Sequence, residues 1–76
     1  MRELRVGVLG HIVAGDDTGR FVEVMDDTST SGGFLILTYD NGDRSGNAYD
    51  SWVESIIDVE LYFEECGWEV EWLNGP

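Results

Sequence analysis

Residues 55–73 read SIIDVELYFEECGWEVEWL, and this stretch decides the fold class. In its first part the apolar residues recur at spacings of three and four, which is the period of a helix with one face toward a core. The stripe consists of Ile56, Val59, Phe63 and Cys66. Gly67 follows at the position where a left-handed C-terminal cap belongs. The pattern predicts a helix over residues 56–66.

After the helix, the apolar period changes to two. Trp68, Val70 and Trp72 alternate with Glu69 and Glu71, which is typical of a strand with one buried face. We therefore expect the helix to be followed by an antiparallel strand whose apolar side chains point inward and whose glutamates point outward.

Upstream of the helix, the chain shows strand signals separated by glycine-rich turns. Residues 4–14 are expected to form either a long bent strand or a strand with a bulge at Gly10, and residues 20–25 are expected to form a second strand. Residues 34–39 are apolar on both faces, which predicts the central and best buried strand. An Asn-Gly pair at 41–42 favours a hairpin turn, so the chain after it should fold back beside this strand.

Residues 49–55 leave two interpretations open, a strand or the start of the helix. Two capping boxes compete there, Ser51 with Glu54 and Ser55 with Asp58. In either case residues 1–76 are expected to form a single domain. The predicted fold class is α+β, with a four- or five-stranded antiparallel sheet and one helix packed on it.

Charge is the most unusual property of the chain. Sixteen aspartates and glutamates stand against four arginines, there is no lysine, and the formal net charge is −12. Residues 45–76 contain eight of the acids and no basic residue. A surface of this sign repels nucleic acid and anionic membranes and attracts basic proteins. Solubility alone is the alternative explanation of the same acidity.

The sequence offers little for catalysis, cofactors or metals. Cys66 lies on the apolar stripe at a helix C-terminus, where the helix dipole disfavours a thiolate. His11 is the only histidine, and one histidine with one cysteine cannot build a structural zinc site. The acids at 40–43 lack the spacing of a calcium-binding EF-hand loop. We therefore expect a non-enzymatic protein without a cofactor.

The single cysteine also bears on location. One thiol excludes an intrachain disulfide, whereas small secreted domains are usually cross-linked. The first residues do not have the pattern of a signal peptide, and no run approaches the ~18 apolar residues of a membrane helix. A cytoplasmic protein is expected.

The predicted binding surface lies on the side of the helix opposite the core stripe and continues onto the final strand. No basic residue neutralises the carboxylates there, so they repel one another. Leu61 and Tyr62, which the core stripe does not use, are candidate apolar anchors for a partner. The full set of predicted interface residues is Glu54, Asp58, Leu61, Tyr62, Glu65, Glu69 and Glu71.

Three functions fit a surface of this kind. The first is an inhibitor that neutralises a basic protein, such as an immunity protein that blocks a nuclease toxin. The second is a DNA mimic, whose carboxylates imitate phosphates. A mimic should spread its acids in two rows, whereas here they concentrate beside Trp and Tyr in the C-terminal half. The third is a structural or assembly domain that is acidic only for solubility and self-associates, for instance as a homodimer.

Three segments in the last third of the chain resemble small acidic bacterial proteins of the immunity type, which are found beside polymorphic toxins. The segments are DSWVE at 50–54, DVELYF at 58–63 and WEVEWL at 68–73. The resemblance implies a toxin-neutralising protein, and no residue role follows from it. Residues 6–25, two strands around a Gly/Asp turn, resemble small SH3-like barrels, which implies a protein-binding domain.

Overall fold

The structure is a computed structural model that describes residues 4–73. Within that range the chain forms five strands and one helix. The strands are β1 (Leu9–Ala14), β2 (Phe21–Asp27), β3 (Gly33–Tyr39), β4 (Ala48–Val53) and β5 (Glu69–Trp72), and the helix α1 (Ile56–Cys66) lies between β4 and β5. In the same range, no helix has the length and apolar character needed to cross a membrane.

The strands form one antiparallel sheet in the order β4-β3-β2-β1-β5. The first four strands meander, and α1 then carries the chain from the β4 edge to the opposite edge, where β5 pairs with β1. The predicted α+β fold, an antiparallel sheet with one helix packed on it, is confirmed. Across residues 4–73 the sheet is open, with β4 and β5 as its edges, so it does not close into an SH3-like barrel.

β3 is not the central strand that its sequence predicts. β2 occupies the middle of the sheet, and β3 lies next to the β4 edge. The side chains of β3 that point away from α1 are only half-buried, because among the described elements no second layer covers that side. They are Leu35, Leu37 and Tyr39. Apolar side chains on both faces of a strand therefore did not indicate burial on both faces here.

The prediction of one long strand over residues 4–14 is also wrong. Gly7 adopts a φ of 80° and interrupts the extended chain, so β1 begins at Leu9. The irregularity in its pairing with β5 lies between Ile12 and Ala14, and not at Gly10. Gly10 instead allows close packing, because a Cβ at this position would collide with the side chains of β5.

α1 has the predicted bounds because both of its ends are capped. The Ser55 hydroxyl accepts a hydrogen bond from the backbone N–H of Asp58 (3.3 Å) and donates one to the Asp58 carboxylate (3.1 Å). Gly67 ends the helix in the left-handed conformation, at a φ of 67°, and its N–H donates to the carbonyl of Glu64 (3.0 Å). Of the two competing capping boxes only the second forms, and most of residues 49–55 belong to β4.

The core lies between α1 and one face of the sheet. Its buried members are Ile12, Val22, Val24, Ile36, Val59, Phe63 and Trp68. Trp68 is 1% exposed, and its ring meets Phe63 edge-on at a centroid distance of 5.0 Å. Its indole N–H donates to the Asp16 carbonyl (2.6 Å), which satisfies the one polar group of a buried tryptophan.

The face of the sheet away from α1 carries a second set of apolar side chains, and we call it the helix-free face. Strand alternation and register assign to it Leu9, Phe21, Met25, Leu35, Leu37, Tyr39 and Trp52. The loop at 40–47 covers one end, where Arg44 pairs with Glu23 at 2.9 Å. At the other end Trp52 is 49% exposed.

Candidate protein-binding surface

The side of α1 that faces solvent carries two apolar residues one turn apart. Ile57 is 63% exposed and Leu61 is 50% exposed, and residues four apart on a helix are neighbours on one face. The core takes Val59 and Phe63 from the opposite side of α1. A single exposed aliphatic residue is ordinary, but an adjacent pair surrounded by charge has the composition of a binding surface.

Carboxylates flank this apolar pair on both sides. Helical geometry places Glu60 and Glu64 along one side of the pair and Asp58 and Glu65 along the other. None of these four forms an ion pair within residues 4–73. We call the whole patch the acidic helix surface, and its members are Ile57, Asp58, Glu60, Leu61, Glu64 and Glu65.

The turn between β1 and β2 brings two more acids to the C-terminal end of α1. The backbone N–H of Asp16 donates to the carbonyl of Cys66 (2.9 Å), and Asp17 follows, with both aspartates exposed. Burial raises the pKa of the Cys66 thiol, and the negative charges of Asp16, Asp17 and Glu65 raise it further. The thiol is therefore protonated at neutral pH. Asp16 and Asp17 extend the acidic helix surface around the C-terminal end of α1.

These charges oppose the helix dipole. The C-terminus of a helix carries the equivalent of about half a negative charge, which favours lysine or arginine nearby. The last turn of α1 contains Glu64 and Glu65 and no basic residue, and Asp16 lies against it. Stability alone would favour the opposite charge at this position.

Two of the arginines lie elsewhere and bind acids of their own. Arg20 pairs with Asp40 (3.1 Å) and lies over the Tyr49 ring, 5.1 Å from its centroid. Arg44 donates two hydrogen bonds to Glu23 (2.9 and 3.0 Å), and this contact lowers the pKa of the Glu23 carboxyl. Both arginines hold the 40–47 loop against the sheet, so neither neutralises α1.

The structure brings some of the predicted interface residues together. Asp58, Leu61 and Glu65 lie on the acidic helix surface, and Glu54 is exposed just before the N-cap of α1. Asp58 also helps to cap the N-terminus of α1, because its carboxylate accepts a hydrogen bond from the Ser55 hydroxyl. Its substitution would therefore disturb the helix as well as the surface charge.

The sequence predicts that Tyr62 lies outside the core stripe, but in the structure this prediction is wrong. Its ring packs against the core and meets Trp68 at a centroid distance of 5.6 Å. Its hydroxyl is hydrogen-bonded to the hydroxyl of Ser51 (3.2 Å). The apolar stripe is wide enough to include Tyr62 because the ring lies over the β4 side of the sheet. Ile57, one turn before Leu61, takes its place as the second exposed apolar residue.

Glu69 and Glu71 point to the other side of the molecule. The predicted alternation of β5 is confirmed, since both glutamates are exposed while Val70 and Trp72 pack against the core. Glu71 stands opposite His11 of β1 and therefore lies on the helix-free face. The predicted interface is thus split between two surfaces that face opposite directions.

The structure separates the residues that nucleophilic chemistry would need. His11 lies on the helix-free face with its ring stacked on Phe21 (4.6 Å between centroids). Cys66 lies on α1, on the other side of the sheet. Within the described part of the chain, no three His, Cys, Asp or Glu side chains are grouped to hold a metal ion.

The predicted interface set lacks Ile57, Glu60 and Glu64 of the acidic helix surface, and it also lacks Asp16 and Asp17, which extend that surface. Ile57 could have been found from its spacing of four from Leu61. The aspartates could not, because they reach α1 only through the pairing of β1 with β5.

A scan against protein-family models gives no match, and searches of the curated proteins and of the solved structures give none either.

Proposed function

We propose that this chain is a non-enzymatic binding module that neutralises a basic protein, acting as an inhibitor or immunity protein in the cytoplasm. The observation that carries the proposal is the acidic helix surface. It combines two exposed apolar residues, Ile57 and Leu61, with a surround of carboxylates that have no ion pair within residues 4–73. A basic nuclease toxin is the kind of partner that such a surface fits.

The two components of the surface would act at different stages of binding. Long-range attraction between the carboxylates and a basic partner raises the association rate at low salt. Burial of Ile57 and Leu61 in the complex would remove apolar area from water and slow dissociation. The unfavourable charges at the end of α1 support this proposal, because binding sites commonly retain residues that reduce stability.

The apolar pair favours an inhibitor over a DNA mimic. A mimic needs carboxylates in rows that follow phosphate spacing, and it gains nothing from leucine or isoleucine at the centre. An acidic surface that served only solubility would likewise need no exposed apolar pair at its centre. In both alternatives, changing Ile57 and Leu61 to serine should leave the function of the chain unchanged.

The test begins by capturing the partner from a native cell lysate at low salt on the immobilised chain and eluting it with salt. Association and dissociation rates are then measured for the purified partner and two matched double variants. The first is Glu64→Lys with Glu65→Lys, on the acidic helix surface. The second is Glu69→Lys with Glu71→Lys, which changes the net charge by the same amount on β5.

We expect the α1 double variant to slow association several-fold and to reduce its salt dependence, with little change for the β5 double variant. Ile57→Ser with Leu61→Ser should instead accelerate dissociation. Equal effects of the two charge variants would mean that only net charge matters. Unchanged rates in the α1 variant would show that the acidic helix surface is not the interface.

A further inference from the structure

The outer edge of β4 is a second surface that the acidic helix surface does not include. β4 pairs with β3 along all six of its residues, and its other side is the edge of the sheet. The other edge strand, β5, is four residues long and carries Glu69 and Glu71. Short, charged edges discourage the addition of another strand, whereas longer edges with aromatic residues invite it.

The hydrogen-bond pattern shows which backbone groups of β4 are directed outward. In an antiparallel pair, facing residues alternate between those that exchange hydrogen bonds and those that do not. The bond from the Asp40 N–H to the Asn47 carbonyl (3.2 Å) shows that these two facing residues lie at a hydrogen-bonded position. Counting from them along the strands, every second facing pair of β3 and β4 is hydrogen-bonded. Tyr49, Ser51 and Val53 then bond to β3, so the N–H and C=O groups that point away from the sheet belong to Ala48, Asp50 and Trp52.

These outward groups have no hydrogen-bond partner among residues 4–73. They span about 14 Å at ~3.4 Å per residue, which matches an added strand of about five residues. The set is regular and uninterrupted, because β4 contains neither proline nor glycine. Such a row is a template for β-strand addition.

β4 carries one exposed aromatic ring on each face of the sheet, and a contact within the protein holds each ring in place. Tyr49 lies on the α1 side of the sheet, 63% exposed and beneath the Arg20 guanidinium. Trp52 lies on the helix-free face, 49% exposed, with its indole N–H donating to the Ser31 hydroxyl (2.8 Å). Rings fixed before binding reduce the entropy cost of holding a partner.

We propose that β4 binds an extended segment of a basic protein as a sixth strand of the sheet, with lysine or arginine opposite Asp50. The exposed Asp50 carboxylate and the Trp52 ring lie two residues apart on the same face. A cation placed opposite Asp50 would pair with its carboxylate and reach the face of the tryptophan ring. The proposal rests on the proposed function only for the basic character of the partner.

A second copy of this chain is a poorer occupant. Two antiparallel β4 strands would bring the two Asp50 carboxylates close together and join two chains of net charge −12. Like charges facing each other across strands are destabilising, and the whole-molecule repulsion adds to this at low salt. The charge of the chain therefore selects a partner of the opposite sign.

The test uses a synthetic peptide of about seven residues in which lysine alternates with valine, and a control peptide with glutamate at each lysine position. Hydrogen exchange of the isotope-labelled protein is followed by NMR. At nine-tenths occupancy by the lysine peptide, the amides of Ala48, Asp50 and Trp52 should exchange about tenfold more slowly. Asp50→Lys should reverse the peptide preference, with a change of about two- to fivefold in each affinity.

Backbone methylation of the peptide separates strand addition from binding through side chains alone. N-methyl groups on the amides that face β4 should abolish protection, whereas N-methyl groups on the alternate amides should not. Protection confined to α1, equal binding of both peptides, or protection that rises with protein concentration without peptide would each overturn the proposal. Glu64→Lys should leave peptide binding at β4 unchanged, so this proposal and the function proposed for α1 can fail separately.

Discussion

Glu64→Lys should stabilise the protein, although it removes a residue of the proposed binding surface. In the native chain Glu60 and Glu64 are a like-charge pair four residues apart on α1, and such a pair costs about 0.2–0.5 kcal/mol. Lysine at position 64 converts this pair into an attractive one of similar size. The reversal of charge in the last turn adds a favourable interaction with the helix dipole of about 0.3–1 kcal/mol at low ionic strength.

Together these effects predict a gain of about 1–2 kcal/mol in the free energy of unfolding. For a domain of this size that corresponds to a rise in melting temperature of about 4–8 °C per kcal/mol. Urea unfolding and thermal unfolding, each followed by circular dichroism, measure the two quantities. At about 1 M salt, where the Debye length is ~3 Å, most of the gain should disappear.

Asp58→Lys is the matched control, because it changes the net charge by the same amount at the other end of the same helix. It removes the carboxylate that accepts the Ser55 hydrogen bond and places a cation at the positive end of the dipole. We expect a loss of about 1–2 kcal/mol. If both variants stabilised the protein equally, relief of the overall negative charge would explain the data and the argument from the helix dipole would be wrong.

Three further predictions concern the core, the cap and the loop. Phe63→Ala should lower the free energy of unfolding by about 3–5 kcal/mol because it removes a buried ring, whereas Leu61→Ala on the exposed side should change it by less than about 0.5 kcal/mol; urea titration compares them. Ser55→Ala should cost about 1 kcal/mol through loss of the N-cap, with a matching loss of helical circular dichroism. The Arg44 contact lowers the pKa of Glu23, so its contribution to stability is present above the ordinary glutamate pKa and is lost as the pH falls through the lower folded-state pKa. Stability measured against pH should show this acid-side loss in the native chain but not in Arg44→Ala, and identical pH profiles would contradict it.

Local signals in the sequence correctly predicted the bounds of α1 and the alternation of β5. The helix bounds follow from the Ser55 cap, the apolar stripe and Gly67, all of which act within a few residues of chain. The inward Trp68 and outward Glu71 follow from a period of two. These features depend on neighbouring residues, so one sequence is sufficient to read them.

The candidate surface was predicted less completely because it depends on long-range pairing. Only the contact between β1 and β5 places Asp16 at the C-terminal end of α1, and no local pattern contains that information. The side of the sheet to which Glu71 points depends on strand order in the same way. Tyr62 was assigned to the surface because spacings of three and four identify the centre of an apolar stripe but not how far the buried face extends around the helix. Its contact with Ser51 of β4 becomes visible only once the sheet is assembled.

The pairing of the first strand with the last has a consequence for how the chain folds during synthesis. The backbone N–H of Leu73 donates to the carbonyl of Leu9 (2.9 Å), so the pairing of β5 with β1 joins segments from the two ends of the described sequence. β1 to β4 can form from hairpins between successive strands, but contacts of this sequence separation form slowly. While the ribosome is still translating the helix, β1 can pair with β2, but its other side, which later pairs with β5, remains unpaired. Trp68 has not yet entered the core. The native sheet is complete only once β5 has been synthesised and is free to pair with β1.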